Sequence, residues 1–377
     1  MIQKPKLSII LTSYNHEKYL KETIDSVLNQ KFADFELIIW DDASIDQSWD
    51  IIQSYFDPRI KAFRNLENQM PPLGVNRAIQ EIAQGKYIAI HSSDDIWEPE
   101  KLEKQVAFLE ENPQIGAVFS WAQIIGEDGE SLDDKTHPYN HIFNQPNRSR
   151  HEWLNFFFYH GNALCHPSLL IRKICYQDCG AYRYGFAQLP DFDMWVRLCL
   201  KYDIHVLPEK LVRFRVRAGE LNVSGNRADG RIRQQFEYLQ IYENYLELKI
   251  PEDIIKVFPN AQKYIKPNGF DGRFALAMVF LEANKFNTTN LFALQLLFQA
   301  LNEPERAKKI NDLYGFDAKN FIELSAKYDV FSIENSFHFP LMNILKKKIR
   351  VSRFWNVILF IRKNIKNKGT NRSINKQ

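Results

Sequence analysis

FELIIWDD (residues 35–42) carries an almost continuous apolar run straight into two adjacent carboxylates. KYIAIHSSDD (86–95) does the same, and LSIILTS (7–13) is a third run of this kind. Short apolar runs without alternation are the pattern of strands covered on both faces. Helical periods lie between them. Leu20, Ile24, Val27 and Leu28 repeat at one-face spacing, as do Trp49, Ile52 and Phe56, with Asp46 available as a cap. Strand and helix therefore alternate, which predicts right-handed crossovers and a parallel sheet whose ligands sit outside the carboxyl ends of the strands. Asp41-Asp42 and Asp94-Asp95 both fall at such ends, where a metal ion and a phosphate suit them better than a core does.

Four blocks occur in order: PKLSIILTSYNHEKYLKETIDSVLNQ, FELIIWDDAS, QGKYIAIHSSDDIWEPEKLEKQ and LPDFDMWVRL. Together they resemble the family 2 glycosyltransferases with the GT-A nucleotide-sugar fold, over roughly residues 5–220. The resemblance implies an α/β, Rossmann-like mixed sheet with flanking helices. Residues 1–225 form this expected domain, with a nucleotide-sugar half (1–125) and an acceptor half (126–225). The polar stretch 126–150 is expected to be a surface loop, and SGNRADGR marks the boundary. Beyond it, IRQQFEYLQIYENYLELK, DGRFALAMVFLEANKF, NLFALQLLFQAL and PERAKKINDLYG read as helices, giving a mainly α-helical region over 226–339.

The chemistry of such a site starts from the leaving group. Breaking the bond from a sugar's anomeric carbon to a diphosphate leaves negative charge, which a divalent cation on a carboxylate can absorb as a Lewis acid. The resemblance gives Asp94 the metal position, for Mn²⁺ or Mg²⁺. The family's Asp-x-Asp-Asp reads Ser92-Ser93-Asp94-Asp95 here, so the first carboxylate is missing, while the hydroxyls of Ser92 and Ser93 can still bond a ribose. Asp95 is either a second metal residue or the cap of the following helix. Asp42 matches the residue that accepts from a nucleotide base, with Asp41 orienting the loop, and Thr12 and Tyr14 lie where base and phosphate are held. Arg77 would reach a phosphate or the sugar, although the family's Arg-Asn order is reversed to Asn76-Arg77. Arg215 and Arg217 stand where relatives carry a histidine-containing segment near the diphosphate, and an arginine there would neutralise leaving-group charge.

An acceptor hydroxyl must lose a proton as it attacks, and a carboxylate within hydrogen-bond reach serves as general base. In LPDFDMWVRL the base position falls on Asp191, Pro190 replaces the family's Glu, and Asp193 reads as a structural helix-start acceptor. His166, in ALCHPSLLIR, matches a stretch lining the acceptor side, against the commoner role of a satisfied structural histidine.

A chain of 377 residues exceeds one core of about 250–300 residues, and 45% hydrophobic content with 14% aromatics is ample for a folded enzyme. Lys4-Pro5-Lys6 runs directly into the first strand, so a cytoplasmic catalytic part is expected. Cys165, Cys175, Cys179 and Cys199 have no CxxC or zinc-ribbon spacing and read as reduced, buried thiols. The net charge of +3 hides a tail, 340–377, with 11 Lys and Arg and no acid, leaving 38 basic against 46 acidic residues elsewhere. Its apolar stretch Phe354–Ile361 is too short to span a bilayer, which needs about 20 residues. The tail reads either as a peripheral segment on an anionic membrane, at the inner face of the cell membrane, or as a helix packed on its own domain. No nucleic-acid motif accompanies it.

The functional expectation is an inverting glycosyltransferase moving a hexosyl group from a nucleoside diphosphate sugar, UDP-linked, to a glycan or lipid-linked hydroxyl. A non-catalytic nucleotide-sugar binder is the alternative that Ser92 and Pro190 favour. A nucleotidyltransferase would need a glycine-rich basic loop, and LTSYNHEKYL has no glycine. The processive-synthase signature QxxRW is absent, which points to addition of single sugars.

Overall fold

The computed structural model describes residues 4–132, 138–217 and 227–333. The basic tail 340–377, with its membrane-facing reading, lies outside the described residues. Met1–Asp317 form one compact unit and Ala318–Gln377 a second, in which one helix, Ala318–Ser325, is described.

The three apolar runs are strands β1 (Leu7–Ser13), β2 (Phe35–Asp41) and β4 (Tyr87–Ser92), with β3 at Ile60–Arg64. They pair in parallel, β2 and β4 flanking β1 and β3 outside β2. Leu7, Ile9, Ile10 and Leu11 are all fully buried, so both faces of β1 are covered, as the unalternating run requires. Helices α1 (Glu17–Leu28), α2 (Ser48–Gln53) and α3 (Pro71–Arg77), the last continued by a π-turn over Ala78–Ile82, supply the crossovers. Asp46 serves two helix starts: its Oδ2 accepts from Glu17 N at 3.0 Å and its Oδ1 from Ser48 N at 2.9 Å. Phe56 departs from the expected face. The helix stops at Gln53, three residues short of it, and the ring is 96% exposed.

Past β4 the sheet becomes mixed. In chain order come β5 (Ile96–Trp97), α4 (Lys101–Glu111), β6 (Ile115–Ile125), α5 (Pro138–Ile142), α6 (Arg150–His160), β7 (Leu170–Arg172), α7 (Lys173–Cys179), α8 (Pro190–Cys199) and β8 (Asp203–Arg215). The full order is β3-β2-β1-β4-β7-β6-β8-β5, eight strands. β7 runs antiparallel to both β4 and β6, and so joins the parallel block to the second half. The β6–β8 pairing slips between Leu207 and Lys210, at Pro208, which has no N–H to give the ladder. The polar stretch after β6 is not wholly irregular, since it contains α5, and α6 begins on a capping box of Ser149 and Glu152.

The helical region follows as α9 (Ala228–Asn244), α10 (Pro251–Val257), α11 (Gly272–Ala283), α12 (Asn287–Leu301) and α13 (Pro304–Tyr314). It packs directly on α6. The Phe158 ring lies 4.5 Å from Phe280 and 5.0 Å from Phe258, with Tyr242 and Tyr245 within 6 Å, centroid to centroid. Polar ties reinforce this seam: Asn155 Nδ2 donates to Val257 O at 2.7 Å and Tyr245 Oη to Leu154 O at 2.8 Å. No described helix is long and apolar enough to cross a membrane. All four cysteines are free, and three of them are buried.

Candidate active site

Parallel pairing brings the strand ends into line. Thr12 stands opposite Trp40 on one side and Ser92 on the other, and Ser13 opposite Asp41. The chain leaving β2 and the chain leaving β4 therefore flank the end of β1, two strand spacings apart, or about 10 Å.

On the β2 side, Asp41 is fully buried and orders its own loop, accepting from Ser44 Oγ at 2.5 Å and Ser44 N at 3.0 Å, with Arg64 at 3.3 Å. Ala43 is left-handed (φ 61°), a strained turn for a residue with a Cβ, and this bonding holds it. Asn15, also left-handed, donates its N–H to Ser44 Oγ at 3.0 Å and accepts from Ile45 N at 2.8 Å, which staples the β1 and β2 loops together. Asp42 Oδ1 accepts from Asn65 Nδ2 at 2.7 Å and Gln69 N at 2.9 Å. Asn65 Oδ1 in turn accepts from Trp40 Nε1 at 3.1 Å, and the Arg77 guanidinium lies 5.1 Å from the Trp40 ring centre while pairing with Glu81. Tyr14 is 43% exposed on the same rim. Asn76 points the other way: it exchanges two hydrogen bonds with the Tyr182 backbone, so the Asn-Arg order sends the amide inward and the guanidinium outward.

On the β4 side, Asp94 is 7% exposed and its Oδ2 lies 3.4 Å from Arg217 Nε. Arg217 Nη1 also donates to His16 Nε2 at 2.8 Å. That nitrogen must then be unprotonated, so the ring proton sits on Nδ1 and points to Ser93 Oγ at 2.7 Å. Burial holds the imidazole below its ordinary pKa against the opposing pull of Asp94. Ser93, His16, Arg217 and Asp94 thus form one polar chain across the end of β1.

Asp95 does not cap a helix. Glu100 precedes the first turn of α4, and the Asp95 carboxyl accepts from Arg215 N at 2.8 Å, tying the end of β8 to this loop. Burial, then the adjacent charge of Asp94, pushes that carboxyl well up. Arg215 is likewise structural. Buried, it donates to Asp94 O and Glu127 O at 2.8 Å and pairs with Glu22 at 2.7 Å, so of the two candidate arginines Arg217 alone meets the Asp94 side chain. Among the described residues no three His, Cys, Asp or Glu side chains gather as a metal cluster. The donor set nevertheless fits Mg²⁺ or Mn²⁺, which bind through one or two carboxylates and complete their shell with substrate phosphates and water. Asp94 is the carboxylate that would hold the ion.

Asp191 occupies the second position of α8, whose first is Pro190. Its Oδ2 accepts from Asn162 Nδ2 at 2.8 Å and its Oδ1 from Phe192 N at 2.8 Å. Burial raises its pKa; nearby His166 and these two donors pull the other way. His166 is itself lowered by burial and hydrogen-bonds Tyr182 Oη through Nε2 at 2.8 Å. Burial raises the Cys165 thiol, and the charges of Asp95 and Asp191 both push it the same way, so both carboxylates lie within electrostatic reach of it. Trp97 Nε1 donates to Pro167 O at 2.9 Å and fastens the Asp94-Asp95 loop to the same turn. Asp193 is not a helix-start acceptor. Fully buried, it is met by Arg183, by Arg197 at 2.9 Å and by Asn244 Nδ2 at 2.9 Å.

His16, Asn65, Gln69 and Asn162 carried no signal in the sequence. They are single polar residues in loops, without periodicity, and their partners come from other segments.

The family model for glycosyl transferase family 2 matches residues 8–172. An uncharacterised glycosyltransferase of Methanocaldococcus jannaschii is 31% identical over 220 residues, 57% of this chain and 72% of that one. The Escherichia coli UDP-Glc:alpha-D-GlcNAc-diphosphoundecaprenol beta-1,3-glucosyltransferase WfaP is 38% identical over 104 residues, 28% of this chain and 41% of its own length. Residues 1–349 of S. aureus TarS, solved in complex with UDP-GlcNAc, share the fold with a TM-score of 0.55 at 19% identity, over 82% of this chain and 89% of that one. The chain belongs to glycosyl transferase family 2, and is a glycosyltransferase of GT-A-like fold. The likeness to TarS covers more than residues 1–225 can supply, so it extends into the helical region.

Proposed function

We propose that this protein is an inverting hexosyltransferase that uses a UDP-linked sugar and a hydroxyl of a glycan or lipid-linked acceptor. The observation that carries the reading is the environment of Asp191: a carboxyl raised by burial and oriented by Asn162 and Phe192 N at the start of α8. Asp191 takes the acceptor proton as the hydroxyl attacks the anomeric carbon from the face opposite the diphosphate. Asp42 accepts from the base, Thr12, Tyr14 and Ser93 line the nucleotide, and Arg77 and Arg217 meet phosphate charge. Arg217 Nε stands 3.4 Å from Asp94 Oδ2, close enough to turn to a diphosphate that arrives beside it. A divalent cation, when bound at Asp94, supplies Lewis-acid stabilisation of the departing diphosphate. The choice of donor and acceptor draws on TarS binding UDP-GlcNAc and on WfaP acting on a diphosphoundecaprenol-linked sugar. A lipid-linked acceptor implies work at the inner membrane face.

The second reading, a nucleotide-sugar binder without transfer, draws on Ser92 and on Pro190 opening α8 where the family has a glutamate. One experiment separates the two. The protein is screened against nucleoside diphosphate sugars for thermal stabilisation and Mn²⁺-dependent donor turnover, beside Asp191→Asn. Saturating the true donor at 100 times its Kd stabilises by about 2.7 kcal/mol. Transfer should fall roughly 10²- to 10⁴-fold in Asp191→Asn with donor binding retained. Stabilisation without turnover in the parent would establish the binder.

A further inference from the structure

We propose that Glu237, on α9 in the helical region, is a positioning residue that sets the place of Asp191. The inference rests on the reading of Asp191 as the base. Glu237 is 1% exposed, and its carboxylate receives three consecutive backbone amides: Ala187 N at 2.8 Å, Gln188 N at 3.0 and 3.1 Å, and Leu189 N at 2.7 Å. Leu189 is the residue before the first turn of α8, and Asp191 follows it by two. Leu189 has no side-chain acceptor to offer the helix start, so the anchor for this segment comes from another helix, 48 residues on. A carboxylate suits the place because both oxygens accept and its charge meets the positive end of α8.

Two further ties from α9 act on the same segment. Asn244 Nδ2 donates to Asp193 Oδ1 at 2.9 Å, and Gln240 O accepts from Arg183 Nη2 at 3.0 Å. The stretch 183–193 is therefore clamped at three points over about two turns of α9, and the base rides on it. A general base displaced by about 1 Å can lose 10²-fold in rate without any change in donor binding.

Glu237→Gln keeps the shape and replaces one accepting oxygen with an N–H donor that faces the amides. The expected result is a roughly 100-fold fall in kcat, with the KM for the nucleotide sugar and the calorimetric Kd for the free nucleotide within about twofold of the parent. A kcat equal to the parent's overturns the proposal, and so does a loss of nucleotide affinity in step with kcat, which would mark general structural damage. Should Glu237→Gln fail to fold, Asn244→Ala takes its place: a lower kcat at unchanged nucleotide affinity supports the clamp, and an unchanged kcat overturns it. Asp191→Asn run in parallel keeps the two ideas apart. Transfer surviving in Asp191→Asn defeats the assignment of the base, whereas an inactive Asp191→Asn beside a fully active Glu237→Gln defeats the clamp alone.

Discussion

Asp191 is buried at the start of α8, a position that costs its charged form stability. Its carboxyl is raised by burial, so the protonated form contributes stability fully below the ordinary carboxylate pKa, and that contribution is lost as the pH rises through the raised value. Asn mimics the protonated form at every pH. Asp191→Asn should therefore melt above the parent at neutral pH, with the gap closing on acidification toward pH of about 4. Paired melting curves across that range check the sign, and a variant that melts below the parent at pH 7 would contradict it. The three carboxylates at positions 42, 94 and 191 were legible because each ends an apolar run or opens an amphipathic one in a block with family spacing. The side chains that hold them were not. His16 reaches Ser93 across 77 residues and Asn162 reaches Asp191 across 29, and loop residues have no period to betray such partnerships.

Among the elements, those with a strong period declared themselves. β1, β2 and β4 are continuous apolar runs, α4 carries Leu102, Val106 and Leu109 at one-face spacing, and α9, α11, α12 and α13 follow the predicted stretches, whereas the seven-residue α10 falls between them and carries no such signal in the sequence. β5 and β7, of two and three residues, are too short to show any pattern, and β3 is only half-buried at the sheet edge. These are strands because their neighbours offer a ladder. The approach of β1 to the turn before β4 is equally invisible in the sequence and demanding in the fold. A Cβ on Gly85 would lie 2.5 Å from Ser8 N and 2.6 Å from Leu7 C, backbone atoms that cannot swing aside. Gly85→Ala should cost about 1–3 kcal/mol, seen as a lower denaturation midpoint at unchanged m-value. A neutral substitution would mean that the β1–β4 register relaxes more readily than its place inside the eight-stranded sheet allows.

For the whole molecule, the helical region belongs with the sheet. Residues through Asp317 form one unit, and α6 meets α9, α10 and α11 through Phe158 and its ring of aromatic neighbours. A chain ending at residue 225 would expose that aromatic face and strand Asp193 without Asn244. It should aggregate or lose its near-ultraviolet circular dichroism, and a soluble, cooperatively melting 1–225 fragment would refute the coupling. Trp40 offers a last consequence of the proposed nucleotide site. Its indole N–H is bonded to Asn65, whose amide holds Asp42, and its ring stacks on Phe63 at 5.2 Å and lies 5.1 Å from the Arg77 guanidinium. If a nucleoside diphosphate engages Asp42 and Arg77 as proposed, it disturbs two groups that touch this chromophore's surroundings. Intrinsic emission should thus report donor entry without any label, and the response should vanish in Trp40→Phe while the other six tryptophans still glow.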